Sequence, residues 1–239
     1  MVTALVLSAG GLYGAWEVGV WKALRTAIPF DVIVGSSAGA FNGWAIAGGA
    51  SVEELAAEWL DPLTAEVMQP LLHSTGILNP EGLHRKAREL YERFRPRVPF
   101  GLTIVELPWL RPRLVRETEI TWQHLAATCS IPLCYPPVRI QGRDYVDGGL
   151  VGALPLWAAE RMGAERAIGV NVLNQRMFRC LYKVFRPPRP GPQLKVFLIE
   201  PSQPLGRIKD AVVWSKTNIE QWIRLGEEDG NRALTSITM

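Results

Sequence analysis

The sequence DVIVGSSAG, residues 31–39, joins a short apolar run to a stretch of small residues. Asp31–Val34 is typical of a buried strand, and Ala38–Ala47 has the small apolar composition of a helix that ends at Gly48-Gly49. Little room is left for a loop between the two. A strand that turns sharply into a helix is the building unit of sheets covered by helices, so residues 31–47 predict an α/β fold.

The same order occurs before and after this unit. Val2–Ser8 predicts a strand, Gly10-Gly11-Leu12-Tyr13-Gly14 a turn, and Ala15–Ala27 a helix. Further strands are predicted at Thr103–Leu107, Arg139–Val146, Ala167–Val172 and Leu194–Glu200, and further helices at Glu81–Phe94, Thr121–Ser130, Leu156–Met162 and Ile208–Leu225. We therefore expect three layers, α/β/α, around a mostly parallel central sheet, in a single domain that covers residues 1–239.

Two segments depart from this alternation. Residues 79–118 combine a basic helix with a stretch rich in Pro and Arg, and we expect them to form a cap or insertion over the sheet. Residues 176–193 are basic and contain four prolines, which is typical of an extended connector.

Composition excludes several classes of protein. With 239 residues, 48% hydrophobic and 21% charged, the chain is long and apolar enough for a buried core and is not a disordered protein. Three cysteines cannot form a disulfide framework and indicate a reducing, cytoplasmic location. No C-x-x-C or paired-histidine spacing occurs, so no metal site is expected.

No apolar run reaches the roughly 18 to 20 residues of a membrane-spanning helix. Val2–Leu7 followed by Ser8-Ala9 resembles a signal peptide, but no Lys or Arg precedes residue 22, which favours a buried strand.

The net charge of +3 is distributed unevenly. Residues 1–75 hold seven acidic and two basic residues, a net charge of −5, so that the remainder carries +8. Arg176–Lys195 holds six basic residues and no acid, with apolar side chains between them. This pattern is typical of peripheral contact with a membrane surface, or equally of a solvated loop. No nucleic-acid-binding module accompanies the charge, so no nucleic-acid partner is expected.

Gly35-Ser36-Ser37-Ala38-Gly39 is a G-x-S-x-G motif at the predicted strand-to-helix turn. A nucleophile at its centre, Ser37, occupies a strained backbone conformation, and the flanking glycines leave room for the tight turn. The N–H groups that begin the helix can stabilise a developing oxyanion. The alternative is a small-residue turn that serves packing alone.

A serine nucleophile needs a base, and histidine is in short supply. His73, His84 and His124 are the three histidines, so none follows residue 124, whereas the usual order is Ser, Asp or Glu, then His. The apolar helix around His124 favours a packing role for that residue. The best remaining candidate is Asp147, which ends a strand and precedes Gly148-Gly149, although Asp-Gly is also an ordinary turn.

The turn Gly10–Gly14 has three interpretations. It is a near match to the dinucleotide-binding fingerprint, with Ala9 at the first glycine position and no acid at the end of the second strand. It can also be an oxyanion cradle of consecutive N–H groups, or a plain glycine turn. A candidate nucleophile about two dozen residues later favours the cradle.

Taken together and in order, these motifs resemble those of the patatin-like phospholipases. The glycine loop with Gly14, the elbow with Gly35 and Gly39, the stretch Ala126–Pro132 followed by Tyr135-Pro136-Pro137-Val138, and Asp147-Gly148-Gly149 all have counterparts in the family. The resemblance implies a patatin-like fold, Ser37 as nucleophile, Asp147 as base, and an oxyanion hole formed by Gly10, Gly11 and Leu12. Two positions depart from the family pattern: Ala9 replaces a third glycine, and Tyr13 replaces a basic residue.

The resemblance therefore predicts a lipid acyl hydrolase of the phospholipase or lysophospholipase type, acting on phospholipids or other acyl esters through a Ser–Asp dyad and an acyl-enzyme. It implies no cofactor. The alternatives are a catalytically silent lipid-binding member and a dinucleotide-binding protein that uses Gly10–Gly14.

Overall fold

One sheet of eight strands organises the protein, whose computed structural model describes residues 1–68, 78–173 and 188–237. The strands are β1 (Thr3–Leu7), β2 (Val32–Ser36), β3 (Phe100–Glu106), β4 (Arg111–Arg116), β5 (Val138–Ile140), β6 (Arg143–Asp147), β7 (Arg166–Val170) and β8 (Lys195–Ile199). Their order is β5-β6-β3-β2-β1-β7-β8, with β4 also paired to β3. The pairs from β3 through β2, β1 and β7 to β8 are parallel, which confirms the predicted mostly parallel sheet.

Helices cover both faces of this sheet. They are α1 (Gly14–Leu24), α2 (Ala38–Ala47), α3 (Val52–Leu60), α4 (Pro80–Arg93), α5 (Trp122–Thr128), α6 (Leu156–Arg161) and α7 (Lys216–Ile237). In β1, Leu5 and Leu7 belong to the core shared with α1, α2 and α7, whereas Ala4 and Val6 pack in a separate core with α6. Side chains of a strand alternate between its faces, so this division confirms the three-layer α/β/α architecture.

The strand β3 has an unusual set of neighbours. β4 pairs with residues 101–106 along one edge of β3 in antiparallel register. Two strands therefore share the other edge: β2 pairs in parallel with Phe100–Thr103, and β6 pairs in antiparallel register with Ile104–Glu106. Along β3, the residues that pair with β6 therefore follow directly after those that pair with β2.

The expectation that residues 79–118 form a cap or insertion is wrong for the strands in this segment. All seven residues of β3 are buried, and within the sheet β3 pairs with β2 and β6 along one edge and with β4 along the other. Buried strands of this kind have continuous apolar runs rather than alternation. Here the Pro- and Arg-rich sequence on both sides of β3 obscured that signal.

Two further boundaries differ from prediction. Arg139–Val146 is a hairpin of β5 and β6 rather than one strand, because Gln141 and Gly142 both have positive φ, 50° and 80°, and turn the chain. The last helix starts at Lys216, after a short 3-10 helix at Ile208–Ala211, and runs on to Ile237.

Part of the predicted basic connector and membrane-contact segment lies outside the described residues, because 174–187 are not among them. Residues 188–194 contain neither helix nor strand and lead into β8. Within the described ranges, none of the helices combines the length and the apolar character needed to cross a membrane.

Candidate active site

Ser37 occupies the turn between β2, which ends at Ser36, and α2, which begins at Ala38. Its φ of 53° and ψ of −126° are strained for a residue other than glycine. The flanking glycines are required by close backbone contacts: a Cβ on Gly35 would lie 2.3 Å from the Gly39 carbonyl oxygen, and one on Gly39 would lie 2.5 Å from the Leu7 carbonyl carbon. The sequence-predicted elbow is therefore present in the structure.

The side chains of Ser37 and Asp147 are in direct contact. The Ser37 hydroxyl donates a hydrogen bond to Asp147 Oδ2 at 2.7 Å. The second carboxylate oxygen, Oδ1, accepts from the Gly149 N–H at 2.6 Å. Both side chains are buried, with 5% of each residue exposed. The structure thus brings the two predicted residues together in hydrogen-bonding geometry.

The strand pairing of β3 explains why residues 110 positions apart meet. Ser36, the last residue of β2, is paired with Thr103 of β3, and Asp147, the last residue of β6, is paired with the next residue, Ile104. Since β2 and β6 share one edge of β3, the ends of these two strands face each other. Ser37 follows directly and reaches the carboxylate.

Burial shapes the electrostatics of Asp147. It raises the pKa of the carboxyl group to about 7, because desolvation outweighs the hydrogen bonds from Ser37 and Gly149, which lower it. Within the described ranges, no Lys or Arg forms an ion pair with Asp147. The group is therefore poised to exchange a proton near neutral pH.

Thr128, at the end of α5, fixes the backbone of the elbow. Its Oγ1 accepts a hydrogen bond from the Ser37 N–H at 2.9 Å and donates one to the Thr103 carbonyl at 2.7 Å. The next residue, Cys129, is half-buried beside the dyad, and desolvation of its thiol raises the pKa of that group well above the ordinary value. Sequence reasoning had identified the stretch Ala126–Pro132 by resemblance, without a role for Thr128.

The glycine loop joins β1 to α1. It continues from β1 into a 3-10 helix, Gly11–Tyr13, and Gly11 adopts a positive φ of 56° that favours glycine. The first N–H groups of such a helix have no acceptor within it. Gly11 and Leu12 line the same pocket as Ser37, whereas Gly10 packs against Val172. The other predicted glycines also lie at close contacts: Gly14 at the Trp59 ring, Gly148 at the Thr103 carbonyl, and Gly149 at Ala9.

The two positions that depart from the family pattern have defined contacts. The Ala9 N–H donates to the Ala153 carbonyl at 2.9 Å and so serves the backbone. Tyr13 is buried, and its hydroxyl donates to the Arg207 carbonyl at 2.7 Å. Its ring packs edge-on against Trp222, with centroids 5.0 Å apart. Tyr13 therefore anchors the segment that precedes α7 against the glycine loop.

A buried acid that sequence reasoning missed connects the glycine loop with the nucleophile helix. Glu17 accepts hydrogen bonds from the Ser8 N–H and from Asn42 Nδ2, both at 2.9 Å. Asn42 in turn donates to the Gly14 carbonyl and accepts from the Trp59 indole, each at 2.9 Å. Burial raises the pKa of Glu17 to about 8. The one available signal was an acid within the apolar run Trp16–Val18.

Neither of the two described histidines takes part in the hydrogen bond between Ser37 and Asp147. His124 Nδ1 accepts from the Thr121 N–H at 3.1 Å, so this side chain caps the start of α5. His84 packs edge-on against Trp122, with ring centroids 5.6 Å apart. Burial lowers the pKa of both imidazoles. His73 lies outside the described residues.

An apolar pocket opens at Ser37 between the helices on this side of the sheet. Apolar side chains make up most of its wall, and Glu58 and Lys86, which form an ion pair with each other, are its charged members. The described residues include no cluster of His, Cys, Asp and Glu that could hold a metal ion. A buried hydroxyl–carboxylate pair whose hydroxyl residue lines an apolar pocket suits chemistry on an apolar substrate.

Comparison with known proteins identifies the family of this chain. The family of patatin-like phospholipases matches residues 5–160. The chain belongs to this family. Among curated proteins, it is 27% identical over 188 residues to human patatin-like phospholipase domain-containing protein 6 and 29% identical over 192 residues to neuropathy target esterase sws of Drosophila melanogaster. Lysophospholipase NTE1 of Mycosarcoma maydis is 26% identical over 185 residues.

These matches cover 72% of the chain but 10 to 13% of the relatives, so the chain spans a small part of their length. Among solved structures, the fold resembles VipD from Legionella pneumophila, with a TM-score of 0.54 and 11% identity. That match covers 98% of this chain and 67% of VipD. It supports the patatin-like fold.

Proposed function

We propose that this protein is a lipid acyl hydrolase of the phospholipase or lysophospholipase type, with Ser37 as nucleophile and Asp147 as its base. The observation that carries the proposal is the 2.7 Å hydrogen bond from the hydroxyl of Ser37, which lines an apolar pocket, to Asp147. Names of relatives, such as lysophospholipase NTE1, agree with this reaction class. The cytoplasm is the expected location.

In the proposed acylation step, Ser37 Oγ attacks the carbonyl carbon of the ester while Asp147 Oδ2 takes the hydroxyl proton. The carbonyl oxygen becomes an oxyanion, and the N–H groups of the loop Gly10–Leu12 stabilise it. Collapse of this intermediate releases the alcohol, which receives the proton from Asp147. The product is an acyl-enzyme on Ser37.

In the proposed deacylation step, Asp147 takes a proton from a water molecule, which attacks the acyl carbonyl. The resulting intermediate collapses, the fatty acid leaves, and Asp147 returns the proton to Ser37. The residues named here carry out both steps, with no cofactor. The position of Gly11 and Leu12 in the wall of the Ser37 pocket favours the oxyanion role of this loop over dinucleotide binding.

The substrate is a phospholipid or another acyl ester. Peripheral contact with an anionic membrane through Arg176–Lys195 belongs to this proposal, since that segment alternates basic and apolar residues. Sedimentation with vesicles of neutral or anionic lipid tests it. Binding that does not depend on lipid charge contradicts it.

Covalent labelling by a fluorophosphonate tests the nucleophile. The wild-type protein should be labelled and should hydrolyse acyl esters, and Ser37→Ala should abolish both. Ser36→Ala is a matched control, because the neighbouring hydroxyl is buried with no hydrogen-bond partner among the described residues. This control should keep full labelling. Undiminished labelling of Ser37→Ala would refute the assignment.

A further inference from the structure

The glycine loop is held at both of its ends by one carboxyl–amide pair. Ser8 precedes the loop, and its N–H donates a hydrogen bond to Glu17 Oε1 at 2.9 Å. Gly14 follows the 3-10 turn of the loop, and its carbonyl accepts from Asn42 Nδ2 at 2.9 Å. The same amide nitrogen donates to Glu17 Oε2, also at 2.9 Å. The pair Glu17–Asn42 therefore contacts the residues at both ends of the loop.

Trp59 fixes the orientation of the Asn42 amide. An indole N–H can only donate, so the Asn42 atom that lies 2.9 Å from it is the carbonyl oxygen, Oδ1. The amide nitrogen Nδ2 then faces both the Gly14 carbonyl and Glu17 and donates one hydrogen bond to each. Glu17 must consequently present an acceptor to Asn42. The direction of each hydrogen bond around the amide is thus determined.

Ser8 connects this pair with the nucleophile turn. The Ser8 carbonyl accepts from the N–H of Gly39, two residues after Ser37, at 3.2 Å. The Ser8 hydroxyl oxygen accepts from the Val172 N–H at 3.0 Å. The start of the glycine loop is therefore bonded both to Glu17 and to the first turn of α2. A displacement of Ser8 would move the loop relative to Ser37.

The network is buried. Ser8, Glu17 and Asn42 are 0%, 1% and 2% exposed. A buried donor or acceptor that loses its partner has no water to replace it, so each of these contacts resists rearrangement. Stabilisation of an oxyanion depends on N–H groups that are already in place before the reaction. Rigid ends on a loop of small residues meet that requirement.

We propose that Glu17 is a positioning residue of the hydrolase, which holds both ends of the glycine loop against the nucleophile helix through Ser8 and Asn42. The inference rests on the proposed function, in which the N–H groups of this loop stabilise the oxyanion at Ser37. Glu17 acts through these partners. Its loss should therefore weaken binding of the transition state and leave binding of the substrate nearly unchanged.

Glu17→Met tests the inference. Methionine has a similar length and a similar helix propensity, but it offers no comparable acceptor to Ser8 or Asn42. In hydrolysis of p-nitrophenyl octanoate, kcat should fall about 100-fold and KM should stay within about twofold, because a small displacement of the loop affects the transition state alone. Expressing kcat per fluorophosphonate-labelled Ser37 excludes misfolded protein. A wild-type kcat in Glu17→Met would overturn the inference.

Glu17→Gln should restore most of the activity. Its amide oxygen can still accept from Asn42, and the Ser8 N–H keeps a second acceptor, the Val170 carbonyl at 3.1 Å. We expect kcat within about fivefold of wild type, the effect of one weakened hydrogen bond. A loss in Glu17→Gln as large as that in Glu17→Met would assign the effect to the charge or proton of the carboxyl group and refute positioning by hydrogen bonds.

Asp229 provides a matched control. This acid on α7 is also buried, with 3% exposed, and accepts from the Trp16 indole at 3.0 Å and the Ser202 N–H at 3.2 Å. Asp229→Leu likewise removes a buried carboxyl group that contacts α1, but its partners lie outside the glycine loop and α2. It should lower the temperature of unfolding and leave kcat per labelled Ser37 within about twofold. A loss equal to that of Glu17→Met would reduce the role of Glu17 to general stability.

Asn42→Leu makes the same test from α2, and it replaces Glu17→Met if that variant does not fold. It should also lower kcat about 100-fold, and the double variant should lose little more than either single one, because the two residues act as a unit. Losses that multiply, or a wild-type kcat in Asn42→Leu, would refute the inference while the hydrolase stands. A wild-type protein that neither hydrolyses acyl esters nor reacts with the fluorophosphonate would refute the hydrolase and this inference with it.

Discussion

Two carboxylates lie at the ends of neighbouring strands and have opposite electrostatic environments. Glu106 ends β3 and pairs with Arg113 at 2.7 Å and Arg143 at 3.2 Å, and these guanidinium groups hold its pKa below the ordinary value. Asp147 ends β6, contacts a hydroxyl and an N–H group, and has its pKa raised to about 7 by burial. A position at the end of a strand is therefore not sufficient to make a carboxylate a general base. Burial without a cation distinguishes Asp147.

The largest expected effect of this difference is on turnover. Asp147→Asn should lower kcat by about 10⁴-fold, because the amide cannot take the Ser37 proton. Glu106→Gln is the same kind of exchange on the adjacent strand and should leave kcat within about twofold of wild type, since Glu106 takes no part in proton transfer. Steady-state hydrolysis of an octanoyl ester measures both. Equal losses of kcat in the two variants would contradict the distinction between Asp147 and Glu106.

The pH dependence of activity sharpens the comparison. The base must be ionised to accept a proton, so kcat/KM should rise about tenfold per pH unit up to the pKa of Asp147, about 7, and level off above it. Glu106, whose pKa is lowered, is already ionised in this range and adds no limb to the profile. A pH–rate profile from pH 5 to 9 measures the inflection. An inflection near the ordinary carboxyl value would contradict the role of burial.

A smaller effect is expected on stability. A raised pKa means that folded Asp147 keeps a proton which the unfolded chain loses above its ordinary value of 3.8, so its contribution to stability falls as the pH rises towards 7. In the wild type, this effect should lower the free energy of unfolding by on the order of 2 kcal/mol between pH 5 and pH 8, and Asp147→Asn should remove that decrease. Glu106 has a lowered pKa, so its contribution is present above the ordinary value and is lost as pH falls through the folded value.

Urea unfolding at pH 5 and pH 8 measures these slopes. Asp147→Asn should flatten the decline in the free energy of unfolding with rising pH, and Glu17→Gln should do the same, because burial raises the pKa of Glu17 to about 8. Glu106→Gln should not flatten it. An unchanged slope in Asp147→Asn would show that this carboxyl group is ionised in the folded protein.

The sequence predicts local parts of the site better than distant ones. The elbow at Ser37 follows from residues within one turn of each other, and its strained conformation is present in the structure. Asp147 could be selected only by elimination and resemblance, because its contact with Ser37 depends on β2 and β6 sharing one edge of β3. No local pattern encodes that arrangement, and β3 itself was assigned to a cap.

Glu17 and the apolar pocket at Ser37 also could not be predicted from local sequence. An acid inside an apolar helix segment gives no indication of its partners, which here are Ser8 on one strand and Asn42 on another helix. Several residues that line this pocket, such as Ala45, Leu55 and Leu90, are individually ordinary core residues of α2, α3 and α4. Their common cavity exists only after the three helices pack.

The reactivity of Ser37 can report on folding, because Ser37 and its partner Asp147 are far apart in the sequence. Their hydrogen bond joins residues 110 positions apart and requires β2, β3 and β6 to be assembled in register. Reactivity of Ser37 should therefore return late in refolding, after helical structure has formed. The rate at which a refolding chain regains covalent labelling would then time the completion of its sheet, without a spectroscopic probe.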